Sequence, residues 1–215
     1  MAPVTQDEQA VHYICYVCVI LDNLQPMNKI LHQHWPLLLL TTILVFTTIG
    51  ADSLGNVLQL QSADFSVTQS YRLITAHIIH LNAVHALMNW AATVLLWLIA
   101  HKTFSPRLWA GSMLAHAVLI SLALLSQPHI TWYVGFSGIT YALIAQTSLC
   151  NHLYPSAMRI LVIIALLSKV LYDMGSGQHN PTVEMIGGQV ISEAHFFGLL
   201  SGIILGALLC RRHKA

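Results

Sequence analysis

At 215 residues the chain is long enough for one domain, yet 56% of it is hydrophobic and only 8% is charged, against roughly 25% in an ordinary soluble domain. A net charge of +1, with 13 histidines spread along the sequence, gives no basic face and argues against nucleic acid as a partner. The composition is that of an all-α polytopic membrane protein living in a lipid bilayer.

In chain order, the apolar stretch 11–21 comes first. It is too short to span and lacks both a basic flank and a clear small-residue cleavage site. It reads as an interfacial piece or a remnant of something cleaved, and Met27, at the composition change in QPMNKILHQHW, is a candidate start. Six candidate spans follow, each near the roughly 20 residues a helix needs to cross the hydrocarbon core: 36–55, 76–100, 107–126, 132–150, 157–174 and 192–210. The second carries the polar run HIIHLNAVHALMN, and polar groups inside a span are costly enough to be functional candidates. The predicted organisation is an N-terminal cytoplasmic or interfacial segment (1–34), a six-helix domain (35–210) and a basic cytoplasmic tail (211–215).

The four cysteines do not make a disulfide framework. Cys15 and Cys18 lie close together without a second pair nearby, and Cys150 and Cys210 sit near the ends of apolar runs, so all four read as buried small hydrophobes. With both termini cytoplasmic, Lys29, Lys102, Arg107, Arg159, Arg211, Arg212 and Lys214 lie inside, leaving Arg72 and Lys169 on or near the outer side. The longest outer connections are then 56–75 and 175–190. The second, GSGQHNPTVEMIGGQV, is rich in glycine and polar residues, which predicts a mobile segment able to serve as a lid.

The stretch WYVGFSGITYALIAQ, 132–146, places Ser137 between glycines five residues past Trp132, about 8 Å below the outer rim. His195 has the matching depth on the last helix. A serine hydroxyl becomes a good nucleophile when a neighbouring imidazole takes its proton, so the pair suits acyl transfer. Gly198, Gly202 and Gly206 follow His195 at i+3, i+7 and i+11, and Gly138, Ala142 and Ala145 answer on the fourth helix. Small residues on both faces permit close backbone approach, whether for packing alone or to join the pair. On the second helix Asn82, His85 and Asn89 fall on one face, and His85 and Asn89 are hydrogen-bond donors for a developing oxyanion, with the Ser137 N–H as another. Interhelical hydrogen bonding is the plain alternative for each of them. A metal site built on His77, His80 and His85 lacks the HExxH spacing and its carboxylate.

Taken together, GFSG at 135–138, H-x-x-x-x-H-x-x-x-N at 80–89 and AHFFG at 194–198 resemble the rhomboid family of intramembrane serine proteases, in family order on three helices. The resemblance covers most of the chain and implies a six-transmembrane-helix rhomboid-like bundle with no metal or other cofactor. It implies Ser137 as nucleophile and His195 as general base, a dyad without an obligatory aspartate. His85 and Asn89 match the oxyanion-supporting positions, with Gly135 and Gly138 flanking the serine, and Tyr141 matches the aromatic on which the base packs. His80 matches a structural histidine, Gly198 and Gly202 belong to the packing stripe, and Arg72 matches the arginine of a Trp-Arg motif in which Tyr71 replaces the tryptophan.

Within the family the sequence looks like the compact rhombosortase branch. That implies a multi-pass protein of the cell inner membrane with its active site toward the periplasmic side, acting on transmembrane or C-terminally anchored protein substrates that carry a Gly-Gly motif. Glu193 has no counterpart in that pattern. Two residues from His195 on a helix, it does not share its face, and it reads as a solvated carboxylate rather than a third catalytic member. The rival readings are a proteolytically inactive rhomboid-like protein that binds membrane clients, and a transporter with a histidine proton relay, for which no paired repeats are visible.

Overall fold

The structure, a computed structural model, describes residues 6–63, 65–176 and 181–212. It is mostly helical: α1 (Gln6–Ile49), α2 (Ala51–Leu58), α3 (Arg72–Thr75), α4 (Ala83–Ala100), α5 (Pro106–Leu125), α6 (Ser137–Cys150), α7 (Ser156–Ser176), α8 (Pro181–Ile186) and α9 (Ser192–Arg212), with two short strands, β1 (Leu60–Gln61) and β2 (Trp132–Tyr133). The chain divides into two compact units. The first, Met1–Trp35, is helical from Gln6, and the second, Pro36–Ala215, holds the candidate site. Cys15, Cys18 and Met27 fall where side chains lie outside the described ones, as does the basic tail.

Among the described residues four helices are long and apolar enough to cross a membrane: Asn28–Ile49 within α1, α4, α5 and Ser192–Cys210 within α9. Leu87, Leu95 and Leu98 on α4 and Ile160, Leu161 and Leu171 on α7 point outward, an apolar exterior suited to lipid. The core runs between the helices, with Trp97, Phe104 and Trp109 packed together around the α4–α5 connection.

Two predicted helices start later than expected. The second begins at Ala83, not 76, because extended Asn82 caps it, its Oδ1 accepting from the His85 N–H at 2.8 Å. A cap satisfies one of the donors that a helix N-terminus leaves open. Asn82 therefore stands at the helix end rather than along its face, its Nδ2 donating to Met185 O at 3.3 Å, and His77 and His80 lie in the connection before α4. The fourth begins at Ser137, not 132, because Trp132 and Tyr133 pair antiparallel with Gln61 and Leu60. At 14 residues α6 is about 21 Å long, shorter than the roughly 30 Å hydrocarbon core.

The connection between α1 and α4 is built around buried Arg72. Its guanidinium donates to Gln61 Oε1 at 2.6 Å and to the Asn56 carbonyl at 3.4 Å, while the Tyr71 hydroxyl donates to Val57 O at 3.1 Å. The arginine thus holds α2 and β1 to α3, and β1 holds the strand that leads into α6. In the predicted mobile connection 175–190, residues 181–186 form α8, and 177–180 lie outside the described residues.

Where α6 and α9 cross, glycine sets the separation. A Cβ at Gly198 would fall inside 3.0 Å of the Gly138 carbonyl oxygen, one at Gly202 inside 3.0 Å of Ala142 O, and one at Gly138 inside 3.0 Å of Ala194 O. Beside this seam His116 Nε2 meets Gln146 Oε1 at 2.7 Å and His116 Nδ1 meets Ser201 Oγ at 3.1 Å, while Gln146 Nε2 donates to Ser112 Oγ at 2.9 Å. This buried network joins α5, α6 and α9. At the far end a disulfide joins Cys150 to Cys210, with Cα atoms 5.3 Å apart, which corrects the expectation that these cysteines are isolated hydrophobes. Adjacent helices bring the two run ends together, a pairing that linear spacing does not reveal.

Gly202→Val is expected to lower stability by about 3 kcal/mol or more, because the added methyls meet backbone rather than a side chain that can rotate away. Gly111→Ala, where a Cβ meets nothing within 4 Å, is expected to be neutral or stabilising by up to about 1 kcal/mol. Thermal unfolding of the two variants in detergent checks both, and equal midpoints would remove the role given to the seam.

Candidate active site

The approach to α6 is a tight turn. The Gly135 N–H donates to Ala76 O at 3.0 Å and the Tyr133 hydroxyl donates to Gly135 O at 2.7 Å, so the chain is held on both sides of the glycine. Gly135 has φ +123, a region side chains avoid, and a Cβ there would lie 2.9 Å from His85 Cε1. The turn therefore needs glycine twice over, for its backbone and for the imidazole beside it. Ser137 follows as the first residue of α6, where helix N–H groups have no partner within the helix and the dipole is positive.

Across the glycine seam, His195 Nε2 stands 2.9 Å from Ser137 Oγ. For the hydroxyl to donate, Nε2 must be unprotonated, which puts the proton of the neutral ring on Nδ1. The imidazole is stacked on Tyr141, with ring centroids 4.4 Å apart and planes at 2°, so its orientation is fixed by an aromatic surface one helical turn below the serine. Gly138, Gly198 and Gly202 make this approach possible.

From α4, His85 and Asn89 line the same cleft of about 330 Å³, together with Ser137, Tyr141 and His195. His85 Nδ1 and Asn89 Nδ2 are buried and have no hydrogen-bond partner. Buried polar atoms without partners are costly and uncommon, and here their residues line a cleft where an oxygen can sit. His80 packs edge-on against His85 at 4.9 Å between centroids. Burial, with the neighbouring His85 adding to it, pushes His80 down to about 3, so it acts as a neutral brace. His77 reaches away from the cleft, with Nε2 within 3.1 Å of Ala117 O and 3.0 Å of Ser121 Oγ.

Glu193 pairs with His129 at 2.9 Å, both partly exposed, on the wall of a second cavity of about 540 Å³. It does not approach His195. The carboxylate that does is Asp173 on α7, whose Oδ2 lies 3.6 Å from His195 Nδ1 and whose side chain is fully buried. Lys169, one turn earlier, donates to both its oxygens at 2.5 and 2.6 Å. Sequence reasoning looked for a partner beside His195 in the chain and so missed one 22 positions earlier. The available signal was the Lys-x-x-x-Asp pair in the otherwise apolar LLSKVLYDMG, since charge in an apolar helix marks function by default.

No curated protein matches the chain. The Rhomboid domain family matches residues 67–212, a stretch that includes every residue of the cleft just described. Because that match spans well over half of the sequence, the chain belongs to the rhomboid family, whose members are generally intramembrane serine proteases.

Proposed function

We propose that the chain is an intramembrane serine endopeptidase that cuts membrane-anchored protein substrates near the outer face of the bilayer. The single observation that carries this reading is the 2.9 Å contact between His195 Nε2 and Ser137 Oγ over the Tyr141 ring, at the edge of a cleft with unpartnered donors. As the Ser137 Oγ–carbon bond forms, His195 takes the hydroxyl proton, then passes it to the leaving amine as the carbon–nitrogen bond breaks. Water repeats the cycle on the acyl-enzyme. The Ser137 N–H at the head of α6, Asn89 Nδ2 and His85 Nδ1 supply hydrogen bonds to the oxyanion. The glycines on either side of Ser137 let these groups come close.

The finer reading follows the sequence motifs. Six crossings with both termini cytoplasmic, in a cell inner membrane, place the cleft toward the periplasmic side. The resemblance to the rhombosortase branch favours substrates held by a C-terminal hydrophobic anchor after a Gly-Gly motif. Comparing the membrane and secreted proteomes of cells with wild-type protein and with Ser137→Ala tests it, because loss of C-terminally trimmed proteins is the expected difference. Unchanged trimming would overturn this substrate class.

Ser137→Ala and His195→Ala are each expected to lower cleavage by at least about 10³-fold without changing expression. A fluorophosphonate probe is expected to label the wild type and not Ser137→Ala, and labelling of both would remove the assignment of the nucleophile. Asn89→Ala is expected to lower kcat by about 10²-fold with KM little changed, since it removes a bond made to the transition state. Steady-state kinetics that put the loss in KM would make Asn89 a substrate-binding residue instead.

A further inference from the structure

The dyad chemistry above uses Nε2 of His195 and leaves the other nitrogen unexplained. His195 Nδ1 is buried and has no hydrogen-bond partner, and in the tautomer that accepts from Ser137 it carries a proton. Asp173 Oδ2 lies 3.6 Å from it. That is a few tenths of an ångström beyond a hydrogen bond, and resting geometries at such sites are commonly long and tighten as charge develops.

The placement of Asp173 is not explained by the Lys169 pair alone. An i,i+4 ion pair gains its modest stabilisation on a solvated face, where neither charge has to leave water. Here the lysine side chain is 48% exposed while the carboxylate is wholly buried, facing the imidazole. Burying a carboxylate is costly unless it is paired and hydrogen-bonded. Lys169 donates to both oxygens and, together with the imidazole, offsets part of that cost. Lys169 also lines the catalytic cleft, and Asp173 lines the second cavity that adjoins it.

We propose that Asp173 is a positioning residue for the base: it holds the Nδ1–H tautomer of His195 and stabilises the imidazolium that forms when Ser137 attacks, with Lys169 setting how strongly it does so. The proposal rests on the protease reading of Ser137 and His195. Asp173 stays ionised throughout. The proton moves only from Ser137 Oγ to Nε2 as the oxygen bonds carbon, and from Nε2 to the amine as carbon–nitrogen cleaves.

Among the described residues, the charged and titratable groups around His195 are Asp173 and Lys169 from α7, Tyr141 from α6 and His85 across the cleft from α4. Glu193, on its own helix, is engaged with His129. A carboxylate beside an imidazole favours the protonated ring. Removing it lets His195 lose its proton at lower pH, and removing the lysine does the reverse. The acid limb of the rate against pH is thus expected to move down in Asp173→Asn and up in Lys169→Gln. An ion pair that served stability alone would move neither limb.

The test is the second-order rate of labelling by a fluorophosphonate, in which Ser137 Oγ bonds phosphorus as fluoride leaves and His195 takes the proton. It is measured from acid to alkaline pH in detergent for wild type, Ser137→Ala, Asp173→Asn, Asp173→Glu and Lys169→Gln. Asp173→Asn is expected to label roughly 10- to 100-fold more slowly on the plateau, with part of the loss restored in Asp173→Glu. Acid limbs that coincide with wild type, or that shift together in one direction, overturn the inference. If Asp173→Asn fails to fold by thermal unfolding, the upward shift in Lys169→Gln decides alone, and its absence is fatal. Labelling that Ser137→Ala retains would instead sink the protease reading, so the two failures are distinguishable.

Discussion

The distance between two backbones governs this molecule. Gly138 on α6 and Gly198 and Gly202 on α9 are positions where even one added carbon would collide with main chain of the other helix. A serine side chain and a histidine side chain have fixed and rather short reach. They meet at 2.9 Å because the helices that carry them are in contact over their main-chain atoms. The hydrophobic effect contributes little between helices in lipid, and small-residue packing with interhelical hydrogen bonds takes over. Here both act along one seam, the glycines directly and the Ser112, Gln146, His116 and Ser201 network beside them.

Several buried polar groups brace the bundle through hydrogen bonds to protein, as Arg72 does with Gln61 and Asn56, and Gln146 with Ser112 and His116, whereas His80 braces by packing alone. Those that border the cleft hold something in reserve: Asn89 Nδ2, His85 Nδ1 and His195 Nδ1 are buried nitrogens with no hydrogen bond in the resting state. A packed apolar interior makes unmet polar atoms expensive, and these three belong to residues that line the cleft with Ser137. It is an arrangement that gains most when negative charge appears between them.

Much of this was legible before any coordinates. Ser137 and His195 stood out because neither belongs in an apolar helix, and the glycine spacing after His195 already pointed its face at Gly138. What stayed hidden depended on partners far away in the chain. Asn82 shared a helical period with His85 and Asn89, yet its side chain was claimed by the helix end, a competition that periodicity does not register. Trp132 and Tyr133 read as helix because their apolarity fits either structure, and only the pairing with Leu60 and Gln61 decides for strand. Helix geometry sets Glu193 aside, two positions from His195 and so on another side, but it says nothing of Asp173, whose approach to His195 comes from a different helix.

The Cys150–Cys210 bond has a topological meaning as well as a local one. It closes a covalent ring with a separation of 60 positions, and that ring contains α7, α8 and nearly all of α9. Asp173, Lys169 and His195 are inside it, whereas Ser137, His85 and Asn89 are outside. While the bond is intact, a single cut in the main chain anywhere between the two cysteines leaves one covalently continuous molecule. From Cys150 onward, nucleophile and base are thus joined by two routes, one along the main chain through α7 and one across the sulfur bridge into the end of α9.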